Sequence, residues 1–271
     1  MTHFADKLLE KIQKKGPIVV GIDPNPTLIP SCFENSLSKF CATVIDATCD
    51  LVPAVKFQSA YFEQYGTKGI LALRDAMAYA RSKNLIVIND VKRGDIGSTS
   101  QAYADAYLGA TDLACDAITV NPFLGDDSIR PFVDTCNKNG KGLFILVKTS
   151  NPGASMIQGG ISERLADWVS GLGEIGKQGY SNIGAVVGAT FGEAQGLRKR
   201  MPKAIILVPG LGFQGGSIDA AKANLNPDGR GAIFPISRAI TYPAEKNLNL
   251  EQYVESVRST TSSFIEKFLI V

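Results

Sequence analysis

Eight short apolar runs recur along this chain, and the segments between them carry apolar residues at helical intervals. The runs are Ile18 to Asp23, Val52 to Phe57, Leu85 to Asp90, Ala117 to Val120, Leu143 to Lys148, Ile183 to Gly188, Ile205 to Val208 and Ala232 to Ile236. Runs this short and continuously apolar suit strands buried on both faces, the condition of a parallel sheet. Neighbouring parallel strands need a crossover long enough to return the chain, and a helix supplies it. Tyr61 to Arg81, Ser100 to Leu108, Ser128 to Asn139, Ser162 to Gln178 and Glu193 to Lys199 have the required helical spacing. Residues 3–15 read as an amphipathic helix before the first strand, and Asn249 to Val271 as a terminal helix closing the outer ring. The expected fold is a (β/α)8 TIM barrel, α/β in class, with residues 1–271 forming one domain. A doubly wound open sheet would use the same alternation, but no Gly-x-Gly-x-x-Gly follows the first strand to favour it.

Composition narrows the partners. With 28 Lys+Arg against 26 Asp+Glu, the net charge of +2 offers no basic excess to draw nucleic acid or an anionic membrane, so any anionic ligand must be held locally. No apolar run reaches the ~18 residues of a membrane span, and the first fifteen residues lack a signal-type apolar core. Cys32, Cys41, Cys49, Cys115 and Cys136 are odd in number and form no Cys-x-x-Cys, which fits reduced thiols in a cytoplasmic protein. His3, the one histidine, lies in the amphipathic first segment and reads as a surface residue, leaving no histidine base or histidine metal cluster.

Barrels of this kind build their sites at the carboxyl ends of the strands. Asp23, Lys56, Asp90 with Lys92, Asn121, Ser150, Pro209 and Arg238 fall there, whereas the opposite ends carry Pro17, Pro53, Gly142 and Lys203, which read as structural punctuation. Side chains alternate along a strand, so Asp90 and Lys92 share a face while Asp95 lies beyond the Gly94 turn. Carboxylates beside Lys56 and Lys92 favour the ammonium forms, which suits a proton donor and opposes a Schiff-base lysine. An ammonium at Lys56 also occupies ground that a metal cation would need. Val208 to Gly216 is glycine-dense directly after strand seven, and Pro235-Ile-Ser-Arg238 ends strand eight. Together these two segments resemble the phosphate cradle usual after the last two strands of this fold.

Lys56, the run Asp90-Val-Lys92-Arg-Gly-Asp95-Ile-Gly-Ser-Thr99, Ser150-Asn-Pro-Gly153, Pro209 to Gly216 and Ser237-Arg238 together resemble the orotidine 5'-phosphate decarboxylase family. Val120-Asn-Pro-Phe-Leu-Gly125 and Val187-Gly-Ala-Thr190 are similar to its longer bacterial branch, although Phe57, Asn89 and Val91 depart from that branch's usual residues. The resemblance implies decarboxylation of orotidine 5'-phosphate to uridine 5'-phosphate and CO2 in pyrimidine biosynthesis, without cofactor or metal. It implies an alternating charge array of Lys56, Asp90, Lys92 and Asp95, with Lys92 protonating C6 of the pyrimidine. Asp95 and Thr99 would be lent to the partner subunit of a homodimer with shared sites. Asp23 would accept from the ribose hydroxyls, Ser150 would read the pyrimidine, and Pro209, Gln214, Gly215 and Arg238 would hold the phosphate end. The rival readings are a metal-dependent sugar-phosphate lyase, for which strand two should carry an acidic ligand in place of Lys56, a Schiff-base aldolase, and a catalytically silent phosphate-ligand sensor.

Overall fold

A computed structural model of the protein describes residues 2–189, 193–211, 217–245 and 247–269. Helix α1 (Phe4–Lys15) precedes β1 (Ile18–Ile22), and α2 (Leu37–Thr48) leads to β2 (Ala54–Gln58). Then follow α3 (Ser59–Glu63), α4 (Thr67–Ser82), β3 (Ile86–Arg93), α5 (Gly97–Leu108), β4 (Ala117–Val120) and α6 (Asp126–Asn139). Next come β5 (Gly142–Lys148), α7 (Ala154–Gln158), α8 (Ser162–Ser170), β6 (Ile183–Val187), α9 (Ala194–Arg200) and β7 (Ile206–Leu207). The chain finishes with α10 (Ile218–Lys222), β8 (Ala232–Ile236), α11 (Arg238–Thr241) and α12 (Leu250–Leu269). The eight strands form a closed barrel in sequence order, with parallel pairing, as the alternation of runs predicts. Among the described residues, no helix is long and apolar enough to cross a membrane. None of the five cysteines is in a disulfide.

Several elements differ from the sequence expectation for identifiable reasons. The single helix expected over Tyr61 to Arg81 is two, α3 and α4, because Gly66 sits between them at φ +61°, a conformation that ends a right-handed helix. The helix expected to reach Gln178 ends at Ser170, since Gly171 and Gly173 follow and the chain then turns back through an antiparallel bridge between Ile175 and Ser181. Strand β3 runs past Asp90 to Arg93, three residues beyond the apolar run that announced it. Helices α2 and α7 went unanticipated. The α2 sequence mixes Cys41, Ala42 and Thr43 with its apolar positions, and α7 has only five residues.

Two compact units are distinguishable by their internal contacts: Met1–Glu10 with Val91–Phe234, and Lys11–Asp90 with Pro235–Val271. In the second, Phe33, Phe40 and Tyr253 pack edge-on or tilted, and Tyr242 stacks on Phe40 with ring centroids 5.6 Å apart. This cluster joins α2 to α12 beneath β1. In the first unit, Phe4 meets Phe144 edge-on over Gly142, where any Cβ would collide with the Phe4 ring.

Buried Asp6 extends that anchorage. Its two carboxylate oxygens accept from the backbone N–H groups of Lys177 and Gln178, each at 2.9 Å, and Gln178 Nε2 donates to the Asp6 carbonyl at 3.1 Å. His3 Nε2 lies 3.0 Å from the Glu174 carbonyl oxygen, so His3 belongs to this packing and is not simply a surface residue. Removing the carboxylate strands two part-buried backbone donors. Asp6→Ala is expected to lower unfolding stability by ~2–3 kcal/mol, measured by urea denaturation, whereas Asp6→Asn, which keeps one acceptor oxygen, loses less.

Candidate active site

The unit formed by residues 11–90 and 235–271 holds Asp23, Lys56 and Asp90. On β2, Val55 and Phe57 are fully buried and flank Lys56, whose side chain alternates to the other face of the strand. The register sets Lys56 opposite Ile88 and Gln58 opposite Asp90 on β3. Lys56 is 5 % exposed and Asp90 8 %, and the Lys56 ammonium donates to Asp90 Oδ2 at 3.1 Å. Asp23, one residue beyond β1, places Oδ1 4.0 Å from the same ammonium. Burial alone would push the Lys56 pKa down, but the charges of Asp90 and Asp23 and the hydrogen bond to Asp90 together outweigh it and raise the pKa above its ordinary value. Lys56 is therefore a fixed ammonium, as the sequence predicts.

Asp23 itself is set by residues the sequence did not single out. Tyr242 donates its hydroxyl to the Asp23 carbonyl at 2.7 Å and accepts from the Asn25 N–H at 2.9 Å, while Tyr65 donates to the Pro24 carbonyl at 3.2 Å. Among the described residues, nothing donates a hydrogen bond to the buried Asp23 Oδ1, which lies 4.0 Å from the Lys56 ammonium. Arg238 opens α11 directly after β8, half-buried, and the residue before it packs so closely on β1 that a Cβ at Gly21 would collide with Ser237.

A second unrecognised residue is Gln58. Its Nε2 donates to Asp90 Oδ2 at 3.1 Å, joining Lys56 on the same oxygen. The available signal was its spacing, two residues beyond Lys56 on one strand and hence on the same face.

Lys92 follows Asp90 by two residues on β3, and its φ is +46°, in the left-handed region that a side chain of this size rarely adopts. The backbone around it is held in the unit of residues 91–234. Lys92 N donates to the buried Thr119 hydroxyl at 2.9 Å, and Asn121 N donates to the Arg93 carbonyl at 2.7 Å. Arg93 is clamped by Tyr107, whose hydroxyl it meets at 3.1 Å, and lies over the Tyr103 ring. Strain of this kind is concentrated at functional positions when the surroundings enforce it.

In the same unit, Asp95 Oδ1 accepts from Ile96 N at 2.8 Å, and its carbonyl accepts from the Ser100 hydroxyl. Thr99 is exposed on the first turn of α5, beside Ile96, which is 56 % exposed. Ser150 follows β5 and packs on Gly188: a Cβ there would lie 3.0 Å from the Ser150 Cβ. Pro209 accepts from Ala189 N at 2.9 Å. Gln214 and Gly215, with Gly212, Gly216 and Thr190 of the quoted motifs, lie outside the described residues. Among the described residues, no group of three or more His, Cys, Asp or Glu side chains is placed to hold a metal ion.

Residues 16–253 match the model of the orotidine 5'-phosphate decarboxylase / HUMPS family. The chain is 42% identical over 269 residues to an orotidine 5'-phosphate decarboxylase of Rhodopirellula baltica, with 89% of each chain covered. It is 39% identical to one of Caldicellulosiruptor saccharolyticus, covering 91% of this chain and 92% of the relative. Among solved structures, the OMP decarboxylase of Leishmania donovani superposes with a TM-score of 0.79 at 29% identity, covering 98% of both chains. The orotidine 5'-monophosphate decarboxylase of Methanocaldococcus jannaschii, complexed with the inhibitor BMP, has a TM-score of 0.69 at 18% identity and covers 93% of this chain and 98% of its own, a likeness of fold.

The charged trio has a thermodynamic signature. A lysine whose folded pKa is raised contributes stability that is fully present below its unfolded pKa, near pH 10.5, and that fades as pH rises through the folded value. Lys56→Met, which leaves buried Asp90 and half-buried Asp23 without their cation, is expected to cost ~3–5 kcal/mol at neutral pH. Denaturation series on both proteins should show the gap between wild type and variant closing only above about pH 10.5.

Proposed function

The chain belongs to the orotidine 5'-phosphate decarboxylase / HUMPS family, and on that premise we propose a cofactor-free decarboxylation carried by the ionised groups of β1, β2 and β3. The protein is an enzyme of pyrimidine biosynthesis, a carboxy-lyase acting on orotidine 5'-phosphate. In the proposed chemistry the bond from C6 of the pyrimidine to its carboxylate breaks, CO2 leaves, and the electron pair stays on C6. The Lys92 ammonium gives that carbon its proton, yielding uridine 5'-phosphate. Asp90 crowds the departing carboxylate, and Lys56 holds Asp90 ionised. Fixed charges of this kind act without reorganising as the transition state forms.

The observation that carries the reading is the buried ammonium of Lys56 between Asp90 and Asp23. A metal-dependent sugar-phosphate enzyme on this barrel calls for an acidic ligand on strand two, and β2 presents a cation. The Asp23 carboxylate, whose side chain is 17% exposed, suits a ribose hydroxyl as donor. Ser150 reads the pyrimidine, and Arg238 and Pro209, with Gln214 and Gly215, hold the phosphate end. The working form is a homodimer in the cytoplasm. Asp95 and Thr99, on a segment that leaves β3 and exposes Ile96, reach into the partner's site.

The direct test of the cofactor-free reaction is loss of the orotate chromophore from orotidine 5'-phosphate in the presence of a strong chelator. Undiminished turnover, with no adduct trapped by borohydride, is the expected result; chelator-sensitive turnover would favour the metal-dependent rival. Trans donation has its own test. Lys92→Ala and Asp95→Ala subunits, each inactive alone, should regain activity on mixing, because one site of each hybrid dimer then has both groups. Subunit exchange without recovered activity would refute it. Arg238→Ala should lower kcat as well as raise KM, with kcat/KM falling by about ten- to hundredfold, the value of a charge-assisted hydrogen bond. A change confined to KM would mean that phosphate binding energy is not used in the chemical step.

A further inference from the structure

We propose that Gln58 is a positioning residue for Asp90, acting through that carboxylate on the decarboxylation step; the proposal rests on the charge-array reading above. Its basis is a shared acceptor. Lys56 Nζ and Gln58 Nε2 both donate to Asp90 Oδ2, each at 3.1 Å. The two donors stand two residues apart on β2, about 6.6 Å along the strand at ~3.3 Å per residue. They therefore approach the oxygen from different directions, and the register places Gln58 directly opposite Asp90. An ammonium on a flexible four-carbon stem constrains the direction of a carboxylate only loosely. The second donor, on the stem at the end of the strand, approaches the same oxygen along another line and so narrows the rotation of the group.

The chemistry also selects a neutral donor. A second cation at position 58 would add charge where the substrate's own carboxylate has to leave, altering the balance with Asp90. An amide favours the ionised form of Asp90 while leaving the net charge of the trio unchanged. Its orientation is fixed by its partner, because a carboxylate that already accepts from an ammonium repels the amide oxygen and attracts the N–H. Lys56 on β2 shares the acceptor with this amide, and Asp23 beyond β1 and Tyr61 on α3 act electrostatically on Lys56. Gln58 is half-buried at the strand end, so an isosteric apolar replacement is compatible with the fold.

The test uses two variants of the full chain and one control. Gln58→Met keeps length and volume and removes the donor; kcat should fall by about ten- to hundredfold while KM stays within about threefold of wild type. A kcat within about twofold of wild type, or a loss confined to KM, would overturn the proposal. Gln58→Glu supplies a readout that a purely structural role would not move. As a neutral acid it can donate an O–H to Asp90, and once ionised it repels Asp90, so its kcat relative to wild type should rise as pH falls. A ratio constant across pH would also overturn the proposal, and this arm decides should Gln58→Met fail to fold. Asp90→Asn separates the two levels of the reading. Near-normal turnover there would sink the charge array itself, whereas an inactive Asp90→Asn beside an unimpaired Gln58→Met would sink the role of Gln58 alone.

Discussion

The contact between the Lys56 ammonium and Asp90 is the interaction on which the charged end of this barrel depends. Two ions of opposite sign are withdrawn from water on neighbouring strands, in an environment where either one alone would be costly. Each holds the other in its ionised form, and Asp23 adds a second negative charge near the lysine. The ordinary rewards of folding do not explain such a pair, since apolar side chains of the same size would often serve stability as well or better. In the proposed chemistry its value lies in a standing electric field, assembled before any substrate arrives and kept in register by the parallel pairing of β2 and β3.

Around that pair the fold works as a set of restraints on backbone position. Tyr242 reaches from the segment after β8 to the backbone on either side of Pro24, and Gly21 lets Ser237 close on β1. The segment that follows β8 is thereby tied to β1 and Asp23, so the groups proposed for the phosphate and the ribose share one local scaffold. Thr119 and Asn121 perform the corresponding task for Lys92 and Arg93.

What could be read from the sequence, and what could not, follows from the range of the forces involved. The barrel was legible because strands buried on both faces must be apolar throughout, and a charge such as Lys56 or Asp90 on such a run stands out against it. Gln58 did not stand out, because glutamine at a strand end is unremarkable until the register reveals which carboxylate lies opposite. Tyr242 was further out of reach: its partner Asp23 is 219 residues away in the chain, and no local pattern encodes that meeting. The break at Gly66 and the early end of α8 turn on glycine conformation, which helical spacing of apolar residues does not register. Family resemblance reached residues that periodicity could not, notably Asp95 and Thr99, whose proposed work belongs to another subunit.

The left-handed backbone at Lys92 has a consequence for how such an enzyme decays. A side chain there is held against the grain of the main chain, at a cost of roughly 1–3 kcal/mol that neighbouring contacts must offset. Mutational drift to glycine would relax the strand while abolishing the proposed proton donor. Loss of catalysis at this position is thus thermodynamically downhill, and only continued demand for the product would keep a lineage from sliding into a sturdier, silent barrel.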